Sequence, residues 1–257
     1  RNTVPARRGC TDVNTARVRA PELPADGSWL NTATPRTLAS QRGRFVLLDF
    51  WTFCCANCLH VLDELRPLEA RYADVLSVIG VHSPKFAHER EPQAVAAAIE
   101  RYGVEHAVAN DPELRLWRQY AVKAWPTLVL IDPEGYVLAQ AAGEGQADAL
   151  AATIEQLLPD YEARGTLRRG VLPQQEAAIA AATLHFPAKA IVLPAARTGR
   201  EADSLLVADA GHHSLAELEL DGTSLLRRIG DGTRGRRDGP AAGARFAEPN
   251  GLALLPT

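Results

Sequence analysis

The stretch Val46–Cys58, reading VLLDFWTFCCANC, constrains this 257-residue chain more than any other. Val46, Leu47, Leu48 and Phe50 form an apolar run bounded by polar residues, the pattern of a buried strand. Beyond it, Leu59, Leu62, Leu65 and Leu68 recur at helical spacing. Between the two lie three of the four cysteines, Cys54, Cys55 and Cys58. A strand feeding C-x-x-C into a helix puts the first cysteine at the helix N-terminus. Unpaired N–H groups and the macrodipole favour a thiolate there. Cys58 lies one turn in, within reach of the Cys55 sulfur but more sheltered. These positions suit thiol–disulfide exchange, with Cys55 attacking a disulfide and Cys58 resolving the mixed disulfide. A structural disulfide is the plain alternative. Cys54, Cys55, Cys58 and His60 could also supply soft ligands to zinc or an iron–sulfur cluster. No second cysteine pair follows to complete a closed site, so no metal is assigned.

Around the cysteines, strands alternate with helices. Arg44–Phe50, Val75–Val81 and Thr127–Ile131 read as strands, and Ala56–Tyr72 and Gln93–Tyr102 as helices. Pro112–Tyr120 reads as another helix, opened by an Asp-Pro pair suited to N-cap and first-turn positions. Residues 132–135 (DPEG) turn into Tyr136–Ala141 as a hairpin partner, and Gln146–Leu158 closes with a helix. The order predicts an α/β layered sheet with right-handed crossovers, spanning residues 18–158. Val18–Leu30 is a proline-broken, irregular entry to it. Residues 1–17, with Arg1, Arg7, Arg8 and Arg17 and no periodicity, read as a mobile tail carrying a free Cys10. His82 and Ser83 follow the second strand, where open α/β sheets place ligands, although loop capping explains them equally simply. His60 could tune thiol acidity or simply lie at the surface.

The pattern changes after Leu158. Residues 159–183 read as a linker with a short helix in QQEAAIAAAT. From Leu184 the period becomes two, and KAIVL, SLLVADAG, SLAELEL and LLRRIG read as short strands joined by Gly and Asp turns. Together they make one four-stranded antiparallel unit of about forty residues, the size of a propeller blade. FAEPNGLAL (246–254) reads as the first strand of a second blade, which makes 184–257 an incomplete all-β unit.

The residues round the cysteines resemble the thioredoxin superfamily. Asp49, six positions before Cys55, matches the family's buried acid that helps deprotonate the resolving cysteine. Trp51 matches its Trp, and Ala124-Trp125-Pro126-Thr127 looks like its cis-proline loop, which faces the sulfurs and pairs with substrate backbone. Cys54 departs from that pattern, standing where most members have Trp. Asp63 departs too, since many relatives carry a helix-kinking proline there and this chain has Pro67 one turn later. CCANCLHVL, VIGVHSPKF, NDPELRLWRQYAVKAWPTLVLIDPEG and VADAGHHS together resemble the thioredoxin-like proteins fused to NHL repeats. The resemblance implies a thioredoxin-like fold followed by about one blade of an NHL-type β-propeller. It implies Cys55 and Cys58 as the redox pair, Asp49 as proton acceptor and Pro126 as the shaper of the substrate loop. Trp125, Cys54 and Trp51 would face substrate. No organic cofactor is implied.

Composition sets wider limits. A chain 46% hydrophobic and 23% charged, with net charge −3, is an ordinary globular chain with no call for a nucleic-acid partner. No apolar run reaches the roughly 18 residues of a membrane span. The expected partners are protein disulfides or a thiol reductant, with a protein-binding surface on a full propeller. The chain contains no Met, so Arg1 is not an initiator and a preceding segment is expected; a cytoplasmic location is the default. The alternative from another class is a scaffold whose redox domain no longer turns over and whose propeller recruits partners. A peroxidase is a third class, whose members lack a paired C-x-x-C here.

Overall fold

The computed structural model describes residues 17–26, 28–172 and 182–255, and the chain divides into two compact units, 1–177 and 178–257. The expected tail with Cys10 and most of the expected 174–183 helix lie outside the described residues.

In the first unit, β1 (Trp29–Leu30) precedes β2 (Phe45–Trp51), which runs through Cys55 into α1 (Ala56–Arg71). Next come β3 (Leu76–His82), a 3₁₀ turn (Ala87–Arg90), α2 (Pro92–Tyr102), β4 (Ala107–Asn110) and α3 (Arg115–Gln119). β5 (Thr127–Ile131), β6 (Val137–Ala142) and α4 (Ala147–Ala163) complete it. The six strands form one sheet in the order β1-β4-β3-β2-β5-β6. β2, β3 and β4 are parallel, while β1, β5 and β6 pair antiparallel with their neighbours. Every residue of β2 is buried, as a central strand covered on both faces must be. Alternation divides its side chains. Val46, Leu48 and Phe50 pack with Leu116, Tyr120 and Val122, whereas Phe45 and Leu47 meet Val61 and Leu65 of α1 and Ile154 of α4. Asp49 and Trp51 share that second face. An acid therefore sits in the period of a core stripe.

Two strands escaped the sequence reading. β4 is only four residues, AVAN, and β1 is two, too short for a periodic signal. α3 begins at Arg115 rather than Pro112. Asp111 still caps it, accepting from the amides of Arg115 (2.6 Å), Leu116 (3.2 Å) and Trp117 (2.9 Å). α4 continues through Pro159 to Ala163, past the expected end at Leu158. Beyond Pro159, Tyr161 extends the buried stripe of the helix and donates to Asp132 Oδ2 at 2.9 Å, which anchors this last turn to the rest of the unit. Residues 164–170, read as linker, are laced to this unit by Arg168 N–H to Gly43 O (2.7 Å) and Gly170 N–H to Asp74 O (3.0 Å).

The second unit is a four-stranded antiparallel sheet in the order β10-β9-β8-β7. Its strands are β7 (Pro187–Leu193), β8 (Ser204–Asp209), β9 (Ser214–Glu219) and β10 (Leu225–Ile229), with the short helix α5 (Ala195–Thr198) after β7. Val207, Ala216 and Leu218 form its small core. Two buried carboxylates tie strands together. Glu217 takes Ser204, Arg200 and Arg227, and Asp209 takes Arg228 at 2.6 Å and His212 at 2.7 Å. The expected strand in 246–254 does not form. Only an isolated bridge, Arg237 to Arg245, lies near it, because no described strand offers that segment a ladder partner.

Candidate active site

The site is assembled where β2 ends. Cys55 is the N-cap of α1 and has extended backbone, and the Cys58 amide donates to its Sγ at 3.4 Å. Cys55 is 7% exposed and Cys58 fully buried, so one sulfur is the more accessible, and both are free thiols. Burial pushes the Cys58 thiol well above its ordinary value, and its hydrogen bond with Cys55 adds to this. Cys54 is exposed, with Sγ 3.5 Å from His88 Nε2.

Asp49 stands two residues before Trp51 on the α1 face, and neither of its carboxylate oxygens has a hydrogen-bond partner. Desolvation raises its pKa to about 7; His106 opposes the rise and Glu69 adds to it. Its charge also acts on Cys58. Trp51 is fully buried, edge-on to His82 at 5.3 Å, and packs in one cluster with Cys55 and Cys58. This corrects its expected place on a substrate-facing surface, because the last inward step of a central strand is core. Trp125 is half-buried against the same cluster. Its indole N–H donates to Ser83 O at 2.8 Å, and its ring lies 4.0 Å from that of Trp117. The Trp125–Pro126 peptide is cis. Pro126 precedes β5, whose Thr127 pairs with Phe50, so the loop is carried to the end of β2.

His82 is neither a loop cap nor exposed. Closing β3 opposite Trp51, it is fully buried and stacked on Phe53 at 5.4 Å. Its Nδ1 faces Asn110 Oδ1 at 3.4 Å, and burial lowers its pKa to about 4, which keeps the ring neutral. His60 points outward, to Glu144 at 3.1 Å. Among the described residues, no group of three or more His, Cys, Asp or Glu side chains is arranged to hold a metal.

The sequence reading missed Glu89. Although its 3₁₀ turn is short, the carboxylate is fully buried and gathers the whole loop. It accepts from Thr52 Oγ1, from the Cys54 amide at 3.1 Å, and from the amides of Lys85 (2.7 Å) and Phe86 (2.8 Å). Burial alone would raise its pKa, but these bonds hold it below the ordinary carboxylate value. Nothing in the spacing of an HER tripeptide announces such a role.

Residues 43–137 match a thioredoxin-like family model. Over 239 residues, 91% of the chain, it is 36% identical to NHL repeat-containing protein 2 of Gallus gallus, of which it spans 32%. It is 35% identical over the same share to Protein SUPPRESSOR OF QUENCHING 1, chloroplastic, of Arabidopsis thaliana, of which it spans 22%. The chain thus spans about a third or less of these curated relatives. Bacterial proteins named as thiol–disulfide oxidoreductases match about half of the chain, among them ResA of Bacillus thuringiensis, 27% identical over 48% of this chain and 68% of that one. The crystal structure of a thioredoxin-like superfamily protein, 28% identical, superimposes with a TM-score of 0.51 over 55% of this chain and 96% of its own. The expectation of a cytoplasmic location is corrected here. A relative of nearly equal identity is named chloroplastic, so the shared sequence does not fix a compartment. No helix among the described residues is long and apolar enough to cross a membrane.

Proposed function

Since the chain carries a domain of the thioredoxin-like family, in a sequence similar over 91% of its length to NHL repeat-containing protein 2, we propose that it is a thiol–disulfide oxidoreductase acting through Cys55 and Cys58. The observation that carries the reading is the Cys58 amide donating at 3.4 Å to Cys55 Sγ at the N-cap of α1, above an acid whose pKa is about 7. The Cys55 thiolate attacks a substrate disulfide, forming a mixed disulfide and releasing one substrate thiolate. Asp49 takes the Cys58 proton. The Cys58 thiolate then attacks Cys55 Sγ, closing the 55–58 bridge and expelling the second substrate thiolate. Pro126 and Trp125 shape the loop that receives the substrate, and Cys54 contacts it at the rim. The substrates are protein disulfides, or a small thiol when the protein runs in reverse. The four-stranded sheet of 184–257 is read as the opening blade of an NHL-type propeller whose completed ring would recruit a protein partner.

The test is insulin-disulfide reduction by the full chain. Cys55→Ser should abolish turnover, and Cys58→Ser should accumulate mixed disulfides through Cys55. Full activity in Cys55→Ser would refute the assignment of the nucleophile, and an inert wild-type chain would favour the scaffold instead.

A further inference from the structure

The mouth of the site is basic in a chain whose net charge is −3. Two loops meet there, residues 83–90 after β3 and residues 121–126 before β5. The Ser83 amide donates to Trp51 O at 2.9 Å, and Trp125 Nε1 donates to Ser83 O at 2.8 Å. The first loop is thus fixed between the end of β2 and the cis-proline loop. The exposed charged side chains of the two loops are Lys85, Arg90 and Lys123, all cationic. Their one acid, Glu89, is fully buried and spent on its hydrogen bonds, and residues 52–58 carry no formal charge. An exposed acid adjoins the cis-proline loop at Glu144, next to Gly143, whose amide donates to Pro126 O at 2.9 Å, and its carboxylate faces His60 at 3.1 Å. Lys85 stands beside the sulfurs. Its Nζ lies 5.1 Å from the centre of the Trp125 ring, and its amide shares the Glu89 carboxylate with the Cys54 amide, at 2.7 and 3.1 Å. Among the described residues it forms no ion pair. Phe86 follows it, 54% exposed, the one Phe, Tyr or Trp ring among the described residues that stands so far out. Its ring stacks on His88 at 5.8 Å, and His88 Nε2 lies 3.5 Å from Cys54 Sγ. Glu89 also accepts from the Phe86 amide, so one buried carboxylate holds the cation, the ring and the rim of the site in a single frame. Groups positioned in advance lose less freedom when a partner binds.

We propose that Lys85 and Phe86 select the substrate: an extended, acidic protein segment in which an Asp or Glu beside the disulfide pairs with Lys85 and a neighbouring apolar side chain packs on Phe86. The inference rests on the oxidoreductase reading above and names the substrate class for it. A basic mouth draws an acidic segment in and turns its disulfide toward Cys55, and it disfavours a basic segment. Phe86 adds an apolar contact for which glutathione disulfide, the common small disulfide, has no side chain. Lys85 and Phe86 touch the flanks of the substrate and take no part in the exchange at the sulfurs.

The experiment is steady-state reduction, by the full chain, of synthetic peptides that each hold one disulfide flanked by Glu and Leu. Companion peptides carry Gln or Lys in place of Glu, or Ser in place of Leu. For the wild type, kcat/KM should fall about three- to fivefold from the Glu to the Gln peptide and further with Lys. The difference should vanish above about 0.5 M NaCl. Lys85→Gln should remove the preference for Glu over Gln, with the change in KM rather than kcat. Phe86→Ala should raise KM for the Leu peptides about fivefold and erase the preference for Leu over Ser. Both side chains are exposed and Glu89 holds only their backbone amides, so the variants keep the fold. A wild type that treats the Glu, Gln and Lys peptides alike would overturn the proposal. So would a preference that survives in Lys85→Gln, which would belong to the peptides' own disulfides, or glutathione disulfide reduced as well as the Glu–Leu peptide. A wild type inert toward every peptide and toward hydroxyethyl disulfide would instead sink the oxidoreductase reading and this inference with it.

Discussion

Asp49→Asn is the substitution whose consequence can be worked furthest. In the folded protein the acid has a pKa of about 7, against 3.8 for the ordinary side chain. Between those values the folded state holds a proton that the unfolded chain has released. Stability therefore falls as pH rises, by about 1.4 kcal/mol per pH unit for this group. The fall begins near pH 4 and ends near pH 7, about three units, so above pH 8 the ionised acid costs the fold about 4 kcal/mol. Asparagine is the same shape and never ionises. The variant should match the wild type near pH 4, where both groups are neutral and buried without partners. It should exceed it by about 4 kcal/mol at pH 8. Urea unfolding of the reduced protein at both pH values, followed by tryptophan fluorescence, measures this for the first unit alone, because Trp29, Trp51, Trp117 and Trp125 all lie within it. The same variant should resolve mixed disulfides about 100-fold more slowly at neutral pH. A stability difference independent of pH would show that the acid is not held protonated by burial and would remove the basis for its role.

Glu89→Gln should weaken the clasp that holds Thr52, Cys54, Lys85 and Phe86. It should cost about 3 kcal/mol, measured by denaturant at pH 7, since the amide is a poorer acceptor than the carboxylate. Because the folded pKa of Glu89 lies below its ordinary value, its stabilisation is present above that ordinary value and fades as pH falls through the lowered one. The difference between variant and wild type should shrink accordingly in acid. Gly80→Ala would force a Cβ to 2.9 Å from Trp51 Nε1, and should cost about 1–3 kcal/mol by overpacking, read as a lowered Tm. Cys54 is exposed while Cys58 is fully buried, so mass spectrometry of the oxidised, alkylated protein should find a 55–58 bridge and Cys54 labelled. A 54–58 bridge would contradict the pairing.

The sequence by itself determined a great deal, because local patterns carried it. The mostly apolar run before the cysteines and the leucine stripe after them place Cys55 at a helix N-cap with no tertiary information. The short LLVAD, LAELE and LLRRI segments, set off by Gly and Asp turns, give the second sheet's strands nearly to the residue, since turn residues on either side fix the length of a strand. Asp49 and Pro126 were found through resemblance rather than pattern. An acid inside an apolar strand is locally a defect, and only the burial that the folded sheet and helices impose on it, stripping it of water, raises its pKa to about 7. Tertiary structure alone decided the rest. β4 is too short to show a period and exists because β3 lies beside it to pair with. Glu89 and His106 are ordinary polar residues in the sequence, and the partners that matter, Cys54 for one and Glu69 for the other, lie 35 and 37 positions away. Their burial, and hence their chemistry, is set by which strands and loops are folded over them, and no spacing along the chain encodes that.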